Sequence, residues 1–232
     1  MDDPYAYPGT NVLINCKGLQ DREALAHFER LMSAERFDQL LQRPSAFALS
    51  YAGYRSIHQS LFGDVYEWAG QSRMVGLSKG ETYFGPPQFV DQAMEKRFAL
   101  LGRENDLKGL SAEQFAGRAA EHVCEINAIH PFREGNGRTQ RAFLVVLGEQ
   151  AGHPVDLARV VPGQWLDASI RGMDGDYAPM REVIARMLPG AVPVIADHQI
   201  SDFERWSGIG PARSDMEQAP GRTPIQELDL EQ

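Results

Sequence analysis

The sequence predicts a mostly α fold carrying one small β-hairpin. Apolar residues recur at helical spacing along most of the chain, that spacing gives way only between Gly70 and Pro86, and cap and stop residues bracket the longest periodic segments. The first twenty residues mix Pro, Gly, Tyr and Asn and read as an ordered lead-in without a helix. Leu25, Phe28, Leu31 and Met32 then predict a helix over 21–32, and Phe47, Tyr51, Tyr54, Ile57 and Leu61 a second over 46–62. Met74 to Leu77 and Thr82 to Phe84 flank a Ser78-Lys79-Gly80-Glu81 turn, which predicts the hairpin. Val90, Met94, Phe98 and Leu101 mark a helix over 88–101. Ser111 with Gln114 forms a capping-box pattern opening a helix faced by Phe115, Ala119, Val123 and Ile126, and this helix must stop near His130 because Pro131 follows. A further helix runs from Asn136 through Phe143, Val146 and Leu147 to a Gly152 stop. Shorter ones are expected over 164–170 and 177–188. Beyond Gly190 the Pro- and Gly-rich chain reads as an extended or partly ordered tail, so the expected organisation is a domain over 1–190 and a tail over 191–232.

At 232 residues and 43% hydrophobic, the chain can bury a core in one domain with a modest appendage, which excludes wholesale disorder. Lys and Arg number 23 against 32 Asp and Glu, a formal charge of −9 that repels phosphate backbones and anionic lipid, so no direct nucleic-acid or membrane partner is expected. The two cysteines, Cys16 and Cys124, are far apart and fit neither a disulfide framework nor a zinc site. An acidic N-terminus and the absence of a long apolar run lead to a cytoplasmic expectation, with secretion into a host cell left open.

The chemistry concentrates in His130 to Arg141, HPFREGNGRTQR. A helix ends at a histidine, a glycine-rich turn follows, and a new helix begins at Asn136. Gly135 and Gly137 let backbone N–H groups approach a ligand, and a helix N-terminus favours a phosphate. Arg138 and Arg141, three apart, share a helix face and can grip phosphate oxygens. Glu134 is a hard oxygen donor of the kind that holds Mg²⁺ beside nucleotide phosphates. His130 can accept a proton near pH 7. A base, a metal carboxylate and an anion cradle in one loop make a phosphoryl-type transfer site, and the absence of GxxxxGK[ST] excludes a P-loop ATPase. Phe132 and Pro131 are expected to shape the loop. His58 reads as a satisfied core histidine, His122 and Glu125 as structural, and Trp68 as a plug beneath the hairpin.

The stretch resembles the Fic family motif H-P-F-x-[D/E]-G-N-G-R-x-x-R at every defining position, with Arg133, Thr139 and Gln140 at the free ones. The lead-in from Tyr7 to Leu13 and the segment from Phe62 to Gly70 are similar to the family's as well, so the likeness covers roughly residues 5–190. It implies a Fic-type helical bundle whose hairpin is a target-binding flap, here Leu77, Ser78, Lys79, Gly80, Glu81, Thr82, Tyr83 and Phe84. An extended segment of the target would pair with the flap edge, and Lys79 and Thr82 are candidates for touching nucleotide or target. The activity implied is transfer of AMP from ATP to a Tyr, Thr or Ser hydroxyl of another protein. His130 would be the general base, Glu134 the Mg²⁺ ligand, and Gly135, Asn136, Gly137, Arg138 and Arg141 the nucleotide-binding set. Relatives that move phosphate, UMP or phosphocholine give an alternative activity, against which the intact EGNGR stands; a catalytically silent module is the other alternative. The resemblance further implies a toxin of the toxin–antitoxin type, with type II topoisomerase subunits as possible targets, whereas secreted relatives imply host small GTPases. The family's inhibitory pattern [S/T]-x-x-x-E-[G/N] is met only in part, by Thr223 to Glu227 followed by Leu228. Inhibition is therefore expected from a separate small antitoxin whose glutamate reaches Arg141.

Overall fold

A computed structural model describes residues 3–80, 82–161 and 163–190. Glu81 of the expected flap and the tail over 191–232, including Thr223 to Glu227, lie outside the described residues. The described chain folds as α1 (Arg22–Leu41), α2 (Tyr51–Phe62), a hairpin of β1 (Ser78–Lys79) and β2 (Thr82–Tyr83), α3 (Val90–Arg103), α4 (Ala112–Ile129), α5 (Asn136–Ala151), α6 (Gln164–Met173) and α7 (Ala178–Met187). The mostly α class with one hairpin is as expected.

The centre of the bundle is α5, whose residues from Thr139 to Gly148 are all buried. Its apolar run from Ala142 to Leu147 covers every face of the helix, which makes it the core helix, and Thr139, Gln140 and Arg141 are buried polar residues at its start. Around it α2 and α3 bring Tyr54 and Phe98 into edge and tilted ring contacts with each other and with Phe143 of α5, and Phe132 of the motif stacks on Tyr54 at 5.6 Å. α4 packs against α3, α5, α6 and α7, so its C-terminal end, which carries His130, is braced from several sides. The expected capping box is formed: Ser111 Oγ accepts from Gln114 N while Ser111 N donates to Gln114 Oε1.

Several expectations need correction. α1 continues past Met32 to Leu41, because the buried stripe passes through Ser33, Phe37 and Leu40, and Leu31 is 53% exposed. α2 starts at Tyr51, where Ser50 caps Gly53 N, and the expected first turn is replaced by a short 3₁₀ turn over Pro44–Ala46. The first strand of the hairpin is shorter and lies further along than expected, while the second falls within the expected Thr82–Phe84. Ser78 pairs with Tyr83 and Lys79 with Thr82, so two residues assigned to the turn are strand residues. The segment before them finds other partners, since Met74 N donates to Tyr5 Oη and Val75 O accepts from Arg73. Trp68 packs against the core, on Tyr66, Tyr5 and His58.

Candidate active site

His130 ends α4 in the left-handed region (φ 52, ψ 65), which turns the chain sharply into Pro131 and lifts the imidazole off the helix axis. Its Nδ1 lies 3.2 Å from Asn127 O. A carbonyl can only accept, so Nδ1 carries the proton and Nε2 keeps a lone pair, the form a base requires. Phe84, just past β2, stacks on the ring at 3.8 Å and 21°. Burial, reinforced by the positive charges of Arg73 and Lys79, lowers His130 to about 4, so the ring is neutral at pH 7. His130 and the hairpin segment are thus in direct contact.

The loop after His130 is held by its own side chains. Asn136 Oδ1 accepts from Phe132 N at 2.9 Å and Asn136 Nδ2 donates to Phe132 O at 2.7 Å. The Asn136 side chain therefore closes the loop on itself, and what it can offer a phosphate is its main-chain N–H in the first turn of α5. Phe132 is fully buried and stacks on His58 at 3.8 Å, as expected of an anchor. His58 is the satisfied core histidine that was expected. Its Nδ1 accepts from Gly70 N at 2.8 Å, which leaves Nε2–H to donate to Glu134 O at 3.0 Å, and burial pushes it down to about 3.

Gly135 is the N-cap of α5 with φ 80, and a Cβ there would sit 2.4 Å from ring carbons of Phe62. Only glycine fits. Gly137 is different, since its Cβ would meet nothing closer than Arg141 Nη1 at 3.7 Å. The first helical bond of α5 runs from Thr139 N to Gly135 O, so the N–H groups of Asn136, Gly137 and Arg138 have no partner within the helix and form an anion-favouring end.

Glu134 Oε1 accepts from Gly135 N at 2.8 Å and lies 3.7 Å from Arg138 Nη2. Burial and then the charge of Glu29 raise its carboxyl above the usual range. Arg138 donates to Glu29 of α1 and to Ser33 Oγ, and lies over the Phe62 ring at 4.6 Å. Glu29 also accepts from Tyr66 Oη. Arg141 is buried in the next turn, 5.9 Å from the Trp165 ring, and burial together with the nearby charge of Arg138 lowers it to about 9. Glu134, Gly135, Asn136, Gly137, Arg138 and Arg141 thus lie along one loop and the first turns of α5, which start directly after His130.

The flap residues Leu77 to Gly80 and Thr82 to Phe84 stand beside this loop. Ser78, Lys79 and Tyr83 are exposed, and Phe84 N donates to Leu77 O at 3.1 Å to extend the pairing. Among the described residues no third strand joins the hairpin, so its outer strand edges are open there. His122 and Glu125 are structural, as expected: His122 Nε2 meets Glu104 at 3.1 Å, and Glu125 meets Arg97 at 2.9 Å and accepts from Tyr177 Oη.

Sequence reasoning missed several supports of the site. Glu29 and Ser33 hold Arg138 from α1. Arg133, at a free position of the motif, is buried and bonded twice to Asp3, which pins the lead-in to the loop. Gln140, at another, is buried and donates to Asn127 Oδ1. Arg73 joins the hairpin to α4. None of these has a local signal, because, Arg73 to Val75 apart, the partners lie 12 or more positions away.

A helical bundle with a flap hairpin over an H-P-F-x-E-G-N-G-R loop defines a class of protein by itself, and comparison with known proteins agrees. Residues 48–147 match the model of the Fic/DOC family. The chain is 43% identical to the probable protein adenylyltransferase y4lH of Sinorhizobium fredii, over 81% of this chain and 97% of that protein. It is 33% identical to the probable protein adenylyltransferase Fic of Salmonella typhimurium, over 82% and 94%. The BepC protein of Bartonella tribocorum, a VirB-translocated effector crystallised with AMPPNP, superposes with a TM-score of 0.73 at 29% identity, covering 79% of this chain and 95% of that one. The chain belongs to the Fic/DOC family. Among the described residues no helix is long and apolar enough to cross a membrane.

Proposed function

We propose that this chain is a protein adenylyltransferase, moving AMP from ATP to a Tyr, Thr or Ser hydroxyl of a target protein. The observation that carries the reading is His130: a neutral imidazole with Nδ1 donating to Asn127 O and Nε2 left as acceptor, set between the hairpin and the anion-favouring start of α5. The relatives named as protein adenylyltransferases support it. An extended target segment lies along the hairpin edge and presents its hydroxyl to His130. Nε2 takes the hydroxyl proton as the oxygen attacks the α-phosphorus, a new P–O bond forms, and the bond to the β-phosphate oxygen breaks to release pyrophosphate. The N–H groups of Asn136, Gly137 and Arg138 receive the α-phosphate charge, and Arg138 and Arg141 the β- and γ-phosphates.

The residues fit Mg²⁺ bound together with nucleotide. Glu134 is one carboxylate in a setting that disfavours its charge, and among the described residues no cluster of three or more His, Cys, Asp or Glu could hold a metal unaided. Glu134 would hold the ion with the phosphates, where it offsets their charge. Control comes in trans, from a small antitoxin whose glutamate reaches Arg141, since the chain's own inhibitory pattern lacks its final Gly or Asn at Leu228. The target is a cytoplasmic protein, with type II topoisomerase subunits as first candidates.

The experiment is incubation of the chain and Mg²⁺ with a cell lysate and ATP labelled at either the α- or the γ-phosphate, with intact mass of the modified protein. Protein labelling from the α-position alone, with the mass gain of one AMP, is expected. Labelling from the γ-position alone would replace AMP transfer by phosphate transfer.

A further inference from the structure

Arg73 lies between α2 and the hairpin, outside the motif, and is 2% exposed. Its guanidinium is spent on main-chain carbonyls from three places. Nε donates to His130 O at 2.7 Å, Nη1 to Val75 O at 2.6 Å, and Nη2 to Ile129 O at 3.0 Å and to Gly85 O. Its own N–H donates to Pro131 O at 2.8 Å. Among the described residues no carboxylate forms an ion pair with it.

Burying a cation without a counter-ion costs several kcal/mol, and closing a loop does not require one. The four acceptors give the reason. Val75 and Gly85 are the two stems of the hairpin, and Ile129 and His130 close α4, where carbonyls lack helical partners and the helix dipole is negative. A planar fork with fixed donor directions meets all four at once, which a flexible ammonium cannot. It also holds the carbonyl of His130, whose left-handed backbone would otherwise be free to relax.

We infer that Arg73 is a positioning residue for the transfer, setting the spacing between a hydroxyl presented on the hairpin and Nε2 of His130. This rests on the adenylyltransferase reading for the rate it controls, but the geometry it fixes is measurable without turnover. The groups that face His130 are Arg73 from the preceding loop, Lys79 from β1, Phe84 after β2 and Asn127 O from α4. Both nearby charges are positive, so removing Arg73 takes away part of what keeps the imidazole neutral.

The test uses the full chain with Arg73→Lys and Arg73→Gln, checked for folding by circular dichroism. Three quantities are read: the NMR titration midpoint of His130, ATP affinity, and the rate of label transfer from α-labelled ATP into the lysate protein that the wild type modifies. Arg73→Lys keeps the charge and loses the fork, so the midpoint should stay near the wild-type value while transfer slows about 10- to 100-fold at ATP affinity within about twofold. Arg73→Gln should slow transfer as much and also move the midpoint up towards the ordinary histidine value. A folded Arg73→Lys transferring within about twofold of wild type overturns the inference, because a positioning fork cannot be replaced by a point charge. If Arg73→Gln fails to fold, the Lys variant alone decides. Should the wild type transfer no label, the adenylyltransferase reading fails on its own. The positioning claim is then judged by hydrogen exchange at the amides of Lys79, Thr82 and Phe84, which should quicken at least about tenfold in Arg73→Lys, and unchanged exchange overturns it.

Discussion

At the residue scale, the two glycines of the loop separate structure from chemistry. Gly135 is needed by the fold: alanine there would strain a backbone at φ 80 and drive a methyl group to 2.4 Å from the Phe62 ring. Gly135→Ala should destabilise the chain by about 2–4 kcal/mol, from left-handed strain and overpacking together. Gly137 has room for a Cβ within the protein, so Gly137→Ala should melt no lower than wild type, helped by a helix preference worth up to about 1 kcal/mol. It should nevertheless bind ATP about tenfold more weakly, because in the proposed reading the methyl group would stand where the phosphate meets the first-turn N–H groups. Calorimetric melts and ATP titration of the two variants check this. Equal melting temperatures would show that the loop can relax around Gly135, and unchanged affinity in Gly137→Ala would move the phosphate away from it.

At the element scale, the tie between α1 and α5 is the pair Glu29 and Arg138, each side chain 13% exposed. Glu29→Gln leaves Arg138 with a weaker partner and should cost about 2 kcal/mol. ATP phosphates can then supply the missing negative charge, so ATP should raise the melting temperature of Glu29→Gln by more than that of wild type. Equal gains would show that the nucleotide does not reach Arg138. The same pair explains what was legible in the sequence. The helices, the capping box and the loop from His130 to Arg141 were readable because periodicity, cap residues and the motif are all local. The second half of α1 was not, because its inward face carries Ser33, a polar residue whose reason to be buried is Arg138, 105 positions away. The stem of the hairpin was misread for a similar reason: Met74 and Val75 have the composition of a strand, yet their main-chain groups bond to Tyr5 and Arg73. The three free positions of the motif look neutral in sequence, whereas Arg133 reaches Asp3, Gln140 reaches Asn127, and Thr139 Oγ1 bonds to Gly135 O.

At the scale of the whole molecule, burial of neutral histidines makes stability depend on acid. His58 is lowered to about 3 and His130 to about 4, each below the ordinary 6.5. The unfolded chain takes up these protons first, so their contribution to stability is full above about pH 6.5 and is lost as pH falls towards 4 and then 3. Each histidine that stays neutral contributes a slope of about 1.4 kcal/mol per pH unit in that window. Urea melts between pH 7 and 4.5 should therefore show falling stability, with a smaller slope in His58→Gln. An unchanged slope would place the acid sensitivity elsewhere. In the proposed reading His130 acts as the base, the start of α5 receives the phosphates and the hairpin edge receives the target, and the claim that joins them is that His130 removes the proton of the target hydroxyl. The most direct test is single-turnover transfer from α-labelled ATP by wild type and His130→Ala, with ATP affinity measured in parallel. The rate should fall by at least about 100-fold while ATP affinity stays within about twofold, because the base acts on the attacking hydroxyl and not on the bound nucleotide. Transfer by His130→Ala within about threefold of wild type would contradict the account.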